Sequence, residues 1–472
     1  MAKESSSTNN LYKFVVAVLF VFLVVLRFWK AGEWFSFNFD EEYQAFLAWS
    51  QVQDFHPIWI GVSAGNTGFY LGPAFTYLNA LLFFFSGGDP LILAYFAPLL
   101  GLATVISLYF VSSQLFSPSV AIFSSLIYAG SPLLNFFDRR FWNPSPIPLL
   151  TIWLLYSLYK SQKDTRWFIL VSAIMATVLH VHLSLLMFWP VIIFLVFKSF
   201  KRITFSTWIS SVVVYLVLIS PLLVFDKVHN FDNLRTPLRM LTSQSNTSMI
   251  DRMPGRLSTT WNSLSRFWYL RPRTSVQAEM GFGGAGTPTG SILLLSSFSL
   301  GILVLSFFRA KIDKKFCLLF VMLIISITSY LLYPGNVIEY YLLSFFTLFS
   351  IFSGTLLSSL SPKISWFLIL ILVFFSAITI FTCEQSKYGL ISRRERIIKI
   401  TKDIQNQPYS IILGTQDEVG YSAYGGWCYL FRTYAGNPLS CPADEAFGWI
   451  YGVQKSNNQS SIKINLLRDL GI

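Results

Sequence analysis

The sequence predicts an all-α polytopic membrane protein carrying a small exterior α/β-like C-terminal domain. Three observations lead there. Hydrophobic residues make up 54% of the 472-residue chain and charged residues 12%, where a soluble domain carries about 25% charge. Mean hydropathy is +0.55, and apolar runs approaching the roughly 20 residues needed to cross a bilayer recur along most of the length. The runs are continuous instead of alternating, which argues against a transmembrane barrel. The net charge of +12 falls largely in short loops between the runs, as cytoplasmic loops require, so no nucleic-acid partner is expected.

In chain order, the polar stretch Met1 to Lys13 precedes an apolar run from Phe14 to Leu26. Arg27, Phe28, Trp29 and Lys30 follow where a small-residue cleavage site would stand. The segment therefore reads as a retained first span, about 11–29, with its tail inside. An exterior loop, about 30–68, comes next. Within it residues 41–52 have helical spacing, with Tyr43, Phe46, Leu47 and Trp49 on one apolar side, as suits a helix lying in the interface plane.

Apolar segments follow at 69–85, 91–111, 120–137 and 147–159. Residues 167–181 and 183–197 read as a hairpin turning at His180-Val181-His182, and 203–225 as a further span. A long polar exterior loop, 226–290, leads to spans at 291–308, 316–333, 337–360 and 366–381. Residues 1–382 thus form the polytopic domain and 383–472 an extracytoplasmic one. In the latter, residues 393–404 have helical periodicity, 409–413 read as a strand, and Gly425-Gly426 and Asn437-Pro438 mark turns.

Basic turns at 160–166, 198–202, 309–315 and Lys363 orient the chain toward the cytoplasm. This makes a multi-pass plasma-membrane protein with a cytoplasmic N-terminus. Five candidate segments precede Lys160 where an even number is needed. The segment at 69–85, the shortest and interrupted by Gly72-Pro73, is expected not to span. Every unusual polar cluster then falls on the exterior face.

Asp40, Glu41 and Glu42 are the first of these clusters. Adjacent carboxylates repel and burial raises the pKa of at least one, which suits a general base. Consecutive residues face different ways, so one is expected in a cavity and another on a metal, a basic residue or a backbone amide. The alternative is a plain helix start capped by Asn38 or Asp40. Arg139 and Arg140 beside Trp142-Asn143-Pro144 suit phosphate oxygens and a stacked ring, or else snorkel to headgroups. His182, more than His180, is a candidate phosphate donor or metal ligand with an acid. His229 and Arg235 lie in a polar stretch fitted to a lipid phosphate at the interface. Arg252, Arg256, Arg266, Arg271 and Arg273 make the same loop basic. The glycines at 281–290 follow no strand and lack a lysine-serine ending, so no nucleotide cofactor is expected. Cys428 with Cys441 is a possible bridge in an oxidising exterior, and Cys317 is expected to pack within a span.

The order of these parts resembles the integral-membrane GT-C glycosyltransferases, in the branch of protein mannosyltransferases and aminoarabinose transferases (PMT-like). The resemblance rests on Asp40, Glu41 and Tyr43 after the first span, on Gly72-Pro73 opening a short helix, on Arg140-Phe141-Trp142-Asn143-Pro144, and on His182. It covers about residues 11–235 by motif and the remainder by architecture. It implies inverting transfer of a hexosyl or pentosyl group from a polyprenyl- or dolichyl-phosphate carrier to a lipid, glycan or protein acceptor on the exterior face. Asp40 would be the catalytic acid residue and Glu41 its partner. Arg139, Arg140, Asn143, His182, His229 and Arg235 would lie toward the substrate. A divalent cation (Mg, Mn or Zn) held by Glu41 and His182 is compatible with this reading. The rival classes are a transporter or flippase and a non-catalytic assembly protein for lipid-linked glycans.

Overall fold

The structure is a computed structural model describing residues 2–35, 37–64, 67–242, 249–270, 291–333, 338–382, 389–404, 407–412, 425–443 and 462–465. The glycines at 281–290, Cys383, Arg271 and Arg273 lie outside the described residues. Helix α1 (Ala2–Phe28) leads into the short α2 (Ala31–Trp34) through Lys30 in the left-handed region. Helix α3 (Phe39–Gln53) carries the acidic triplet in its first turn. Then follow α4 (Ala74–Ser86), α5 (Leu91–Leu115), α6 (Pro118–Gly130), α7 (Pro132–Phe137), α8 (Ile147–Ser161) and α9 (Trp167–Val181). A 3₁₀ turn, Leu183–Phe188, joins α9 to α10 (Trp189–Ser199).

Helix α11 (Phe205–Val228) is a long span, and α12 (Asp232–Thr242) and α13 (Met249–Arg266) occupy what the sequence reading treats as a polar loop. The loop is helical because Leu264, Phe267 and Trp268 find burial in the main apolar core, and packing stabilises a helix more than propensity does. Helices α14 (Leu293–Ile312), α15 (Cys317–Leu332), α16 (Leu343–Ser359) and α17 (Pro362–Thr382) complete the bundle.

Among the described residues seven helices are long and apolar enough to cross a membrane. The expected segment at 69–85 is not one of them: α4 has only 13 residues. Pro73 stands at its N-cap, a residue without the N–H a longer helix would need. The segment expected as one span at 120–137 is divided at Pro132, where Ser131 turns to extended backbone and caps α7. Helix α16 is the axis of the bundle, packed against α6 and α8. Its Thr347 and Ser350 hydroxyls donate to the carbonyls of Leu343 and Phe346 one turn earlier, which gives these two polar groups partners within the helix. Cys317 is exposed at the start of α15 instead of packed, because the basic turn at 314–316 immediately precedes it.

The C-terminal segment holds α18 (Leu390–Asp403), β1 (Tyr409–Ile412), α19 (Trp427–Ala435) and β2 (Ile462–Asn465). The strands pair in parallel, Tyr409 opposite Ile462 and Ile411 opposite Ile464, giving the expected α/β character. Leu390, Ile397, Ile411 and Trp427 share one buried cluster with Phe35, Phe37 and Phe46 of the first loop and Phe83 of α4. Cys428 and Cys441 are joined in a disulfide within this segment.

Candidate functional site

The three acids that open α3 take three directions, because successive helical residues are about 100° apart. Asn38 is the N-cap and closes a capping box with Glu41, its backbone N–H donating to Glu41 Oε2 at 3.1 Å. The other oxygen, Oε1, accepts from Arg140 Nε at 2.6 Å. This ion pair is closed to solvent on the carboxylate side, with side-chain exposures of 1% for Glu41 and 12% for Arg140. The Arg140 guanidinium also lies 3.5 Å from the centre of the Trp142 ring, a cation–π contact. Glu42 turns about 100° away from Glu41 and is fully buried, accepting from the backbone N–H groups of Gly426 at 2.8 Å and Tyr429 at 2.9 Å.

Asp40 remains exposed although protein crowds its carboxyl on most sides. That crowding raises its pKa above the ordinary carboxylate value, the charge of Glu41 adds to the rise, and Arg140 opposes it. Tyr340, from the turn that precedes α16, lies within electrostatic reach of both Asp40 and Arg140. It meets the Trp142 ring edge-on at 4.5 Å and stacks on Tyr341 at 4.8 Å. Glu339 beside it is fixed by Arg266 of α13, whose Nη2 donates to Glu339 Oε1 at 2.6 Å.

His182 completes the aromatic wall, 5.5 Å from the Tyr340 ring and 5.1 Å from Tyr341. Its Nδ1 accepts the Ser184 N–H at 3.2 Å as the cap of the 3₁₀ turn. That leaves the ring proton on Nε2. Burial lowers its pKa to about 4, so the ring is a neutral hydrogen-bond donor. His180 has a different part. Its Nδ1 accepts from Ala74 at 3.3 Å and its Nε2 faces the Leu218 carbonyl at 2.8 Å, pinning α9 to α4 and α11. A Cβ on Gly72 would stand 2.1 Å from the His180 ring, so the Gly72-Pro73 element is a close backbone approach.

The remaining residues singled out from the sequence lie apart from this cluster. Arg139 is buried toward α1, its Nε on Asn135 Oδ1 at 3.0 Å and its Nη2 on the Leu26 carbonyl. Next to it Asp138 pairs with Arg27 at 3.1 Å. Asn143 is half-buried in the turn that carries Arg140. His229 is exposed and stacked on Phe225 at 4.0 Å, and Arg235 is exposed on α12. Their neighbour Asn233 ties them to the first loop, exchanging two hydrogen bonds with the Tyr70 backbone at 2.6 and 3.0 Å.

Glu41 and His182 join no group of three His, Cys, Asp or Glu able to hold a metal among the described residues. Glu41 already has the Arg140 guanidinium against Oε1 and the Asn38 N–H against Oε2. Two features escaped the sequence reading. Glu42 bonds to residues 384 and 387 positions away, which no local signal reveals. Gly61-Val62-Ser63-Ala64-Gly65 has the spacing of a nucleophile elbow. Ser63 instead sits on an isolated antiparallel bridge with Tyr70 and not on a strand-to-helix turn.

Residues 71–225 match the family described as dolichyl-phosphate-mannose-protein mannosyltransferase. The fold is similar to that of ArnT from Cupriavidus metallidurans in a crystal structure bound to undecaprenyl phosphate. The TM-score is 0.58 at 11% identity, covering 93% of this chain and 91% of that one. It is also similar to the oligosaccharyltransferase of Archaeoglobus fulgidus in a complex with zinc and sulfate. There the TM-score is 0.53 at 11% identity, over 91% of this chain and 62% of that one. No curated protein matches the chain in sequence. The fold is thus similar to those of these two membrane enzymes, and residues 71–225 carry a mannosyltransferase-like sequence pattern.

Proposed function

We propose that this chain transfers a sugar from a polyprenyl- or dolichyl-phosphate carrier to an acceptor hydroxyl on the exterior face of the membrane. The observation that carries the reading is Asp40: a solvent-accessible carboxylate with a raised pKa, held beside the buried Glu41–Arg140 pair. The acceptor attacks the anomeric carbon from the side opposite the carrier, and Asp40 takes its proton. The bond from the anomeric carbon to the carrier phosphate oxygen breaks, and the electron pair leaves with the phosphate. That leaving group departs as an anion, so it needs fixed positive charge and donors more than a proton. Arg140 supplies the charge and His182 Nε2–H a neutral donor, while Glu41 holds Arg140 in place. Trp142 and Tyr340 offer ring faces to the sugar.

His229 and Arg235, joined to the first loop through Asn233, would meet the carrier nearer the interface. The exterior placement follows the basic turns at 160–166, 198–202 and 309–315. The seven apolar helices offer the carrier's chain an apolar path.

The test is transfer of radiolabelled sugar in proteoliposomes from a panel of polyprenyl-phosphate donors, comparing the natural chain with Asp40→Asn. A lipid extract from the source organism serves as acceptor. Transfer that collapses in the variant with donor binding retained supports the reading. Equal transfer by both removes Asp40 as the base, and absence of transfer and of donor hydrolysis across the panel rejects the enzyme.

A further inference from the structure

Glu42 is 0% exposed, and both its oxygens are spent on the backbone of a segment far along the chain. Those two N–H groups, of Gly426 and Tyr429, belong to the cap and first turn of α19, where unpaired donors and the helix dipole favour an anion. Arg393 of α18 reinforces the junction, its Nη1 donating to the carbonyls of Phe37 at 2.7 Å and Gly425 at 3.1 Å. The two backbones touch directly. A Cβ on Gly425 would stand 2.5 Å from Phe39 Cα, and Gly426, at φ +98°, would drive one into the Phe37 carbonyl. Cys428, between the two N–H donors, is stapled to Cys441.

We propose that Glu42 is a positioning residue: gripped by the disulfide-stapled start of α19, it sets the rotation of the first turn of α3 and so aims Asp40 at Arg140 and Tyr340. The inference rests on Asp40 as the base and extends it by making the C-terminal segment part of the reacting geometry. Glu41 on Arg140 and Glu42 on α19 hold the turn from two directions about 100° apart, and Asp40, the residue before them, stands on the backbone of that same first turn. A shift of about 1 Å in such a group costs on the order of 100-fold in rate. Around Asp40 the charged and titratable groups are Glu41 on its own helix, Arg140 from the turn after α7 and Tyr340 from the turn before α16. Among the charged groups at the Glu42 junction is Arg393, on the carbonyls of Phe37 and Gly425.

The test reads Asp40 directly. Full-length protein in detergent is labelled with a carbodiimide and glycine ethyl ester across pH, and the extent at Asp40 is read by mass spectrometry. The natural chain is compared with Glu42→Gln and with Cys441→Ser, which removes the staple without touching α19. Folding is followed by thermal unfolding. The expected result is an Asp40 labelling midpoint that moves down toward the ordinary carboxylate value in Glu42→Gln, and less far in the same direction in Cys441→Ser. Transfer should fall on the order of 10- to 100-fold with the donor KM unchanged. A lowered Tm with an unmoved Asp40 profile would show mere docking and overturn the proposal. If Glu42→Gln does not fold, an unmoved profile in Cys441→Ser overturns it equally. A profile that depends on Glu42 in a chain without transferase activity would keep the positioning and reject the base.

Discussion

Arg140 reaches back 99 residues to Glu41, its Nε 2.6 Å from the carboxylate, and joins the turn after α7 to the first loop. The bond sets a fixed cation near an accessible acid, Asp40. Because the pair is largely closed to water, each charge depends on the other to offset its desolvation.

Removing one partner of such a pair leaves a buried charge alone, at a cost of about 3 to 5 kcal/mol. Glu41→Gln should therefore lower the unfolding midpoint in detergent by several degrees and weaken donor binding. Arg140→Lys keeps the charge but loses the planar fork and the stacking on Trp142, so transfer should fall at least about tenfold. An unchanged Tm in Glu41→Gln would remove the pair from the fold's essential contacts.

Asp40→Asn should separate activity from stability. Burial and Glu41 raise the Asp40 pKa in the folded chain. Between the ordinary carboxylate value and that raised value the folded state holds the proton the unfolded chain has lost. Stability from this group is present at low pH and declines as pH rises through the folded pKa. The variant should match the natural chain at pH 4, exceed it in Tm at pH 7, and abolish transfer. In the natural chain the acid limb of the rate profile should lie above the ordinary carboxylate range. Equal Tm values at pH 7 would place the carboxyl in bulk-like water.

For His182 the sign is reversed. Its folded pKa is about 4, below the ordinary value near 6.5. Between these two the unfolded chain binds a proton and the folded chain does not, so stability rises with pH across that window and is lost on acidification. His182→Gln should flatten this dependence in thermal scans from pH 4 to 6.5. Transfer should show no limb near pH 6.5 attributable to His182, and nitrogen NMR should find the proton on Nε2. A protonated ring at pH 6 would overturn the assignment.

Gly72→Ala would place a methyl 2.1 Å from His180 Nδ1. The ring is held on both nitrogens, by Ala74 and by Leu218, so it has little room to yield. Overpacking of this kind costs about 1 to 3 kcal/mol, and the start of α4 should loosen with it. Gly87→Ala serves as comparison: that glycine has open space around it, so its cost is the backbone strain of a positive φ alone. Equal Tm losses in the two variants would refute the packing account.

Much of the bundle could be read from the sequence. The long apolar runs, the shortness of the helix within 69–85, the helix at 41–52 and the strand at Tyr409–Ile412 all follow from composition and periodicity. Where that reading failed, tertiary contacts had changed the local rule. Leu264, Phe267 and Trp268 turned part of a polar loop into a packed helix, and Pro132 cut one apolar run into two helices. For the acids, the sequence foretold that they would diverge, and only the folded chain could say which acid met which partner.

By itself the sequence determined the membrane class, the position of the acids at the end of the first span and the candidate basic residue in Arg140-Phe141-Trp142. These depend on hydropathy and helical period, which are local. The tertiary structure alone decided that Glu41 meets Arg140, that Glu42 meets Gly426 and Tyr429, and that Arg139 turns toward α1 while its neighbour turns to the first turn of α3. Such pairings join residues tens to hundreds of positions apart. They arise from how helices pack and which buried polar groups must find partners, and no local pattern encodes that choice.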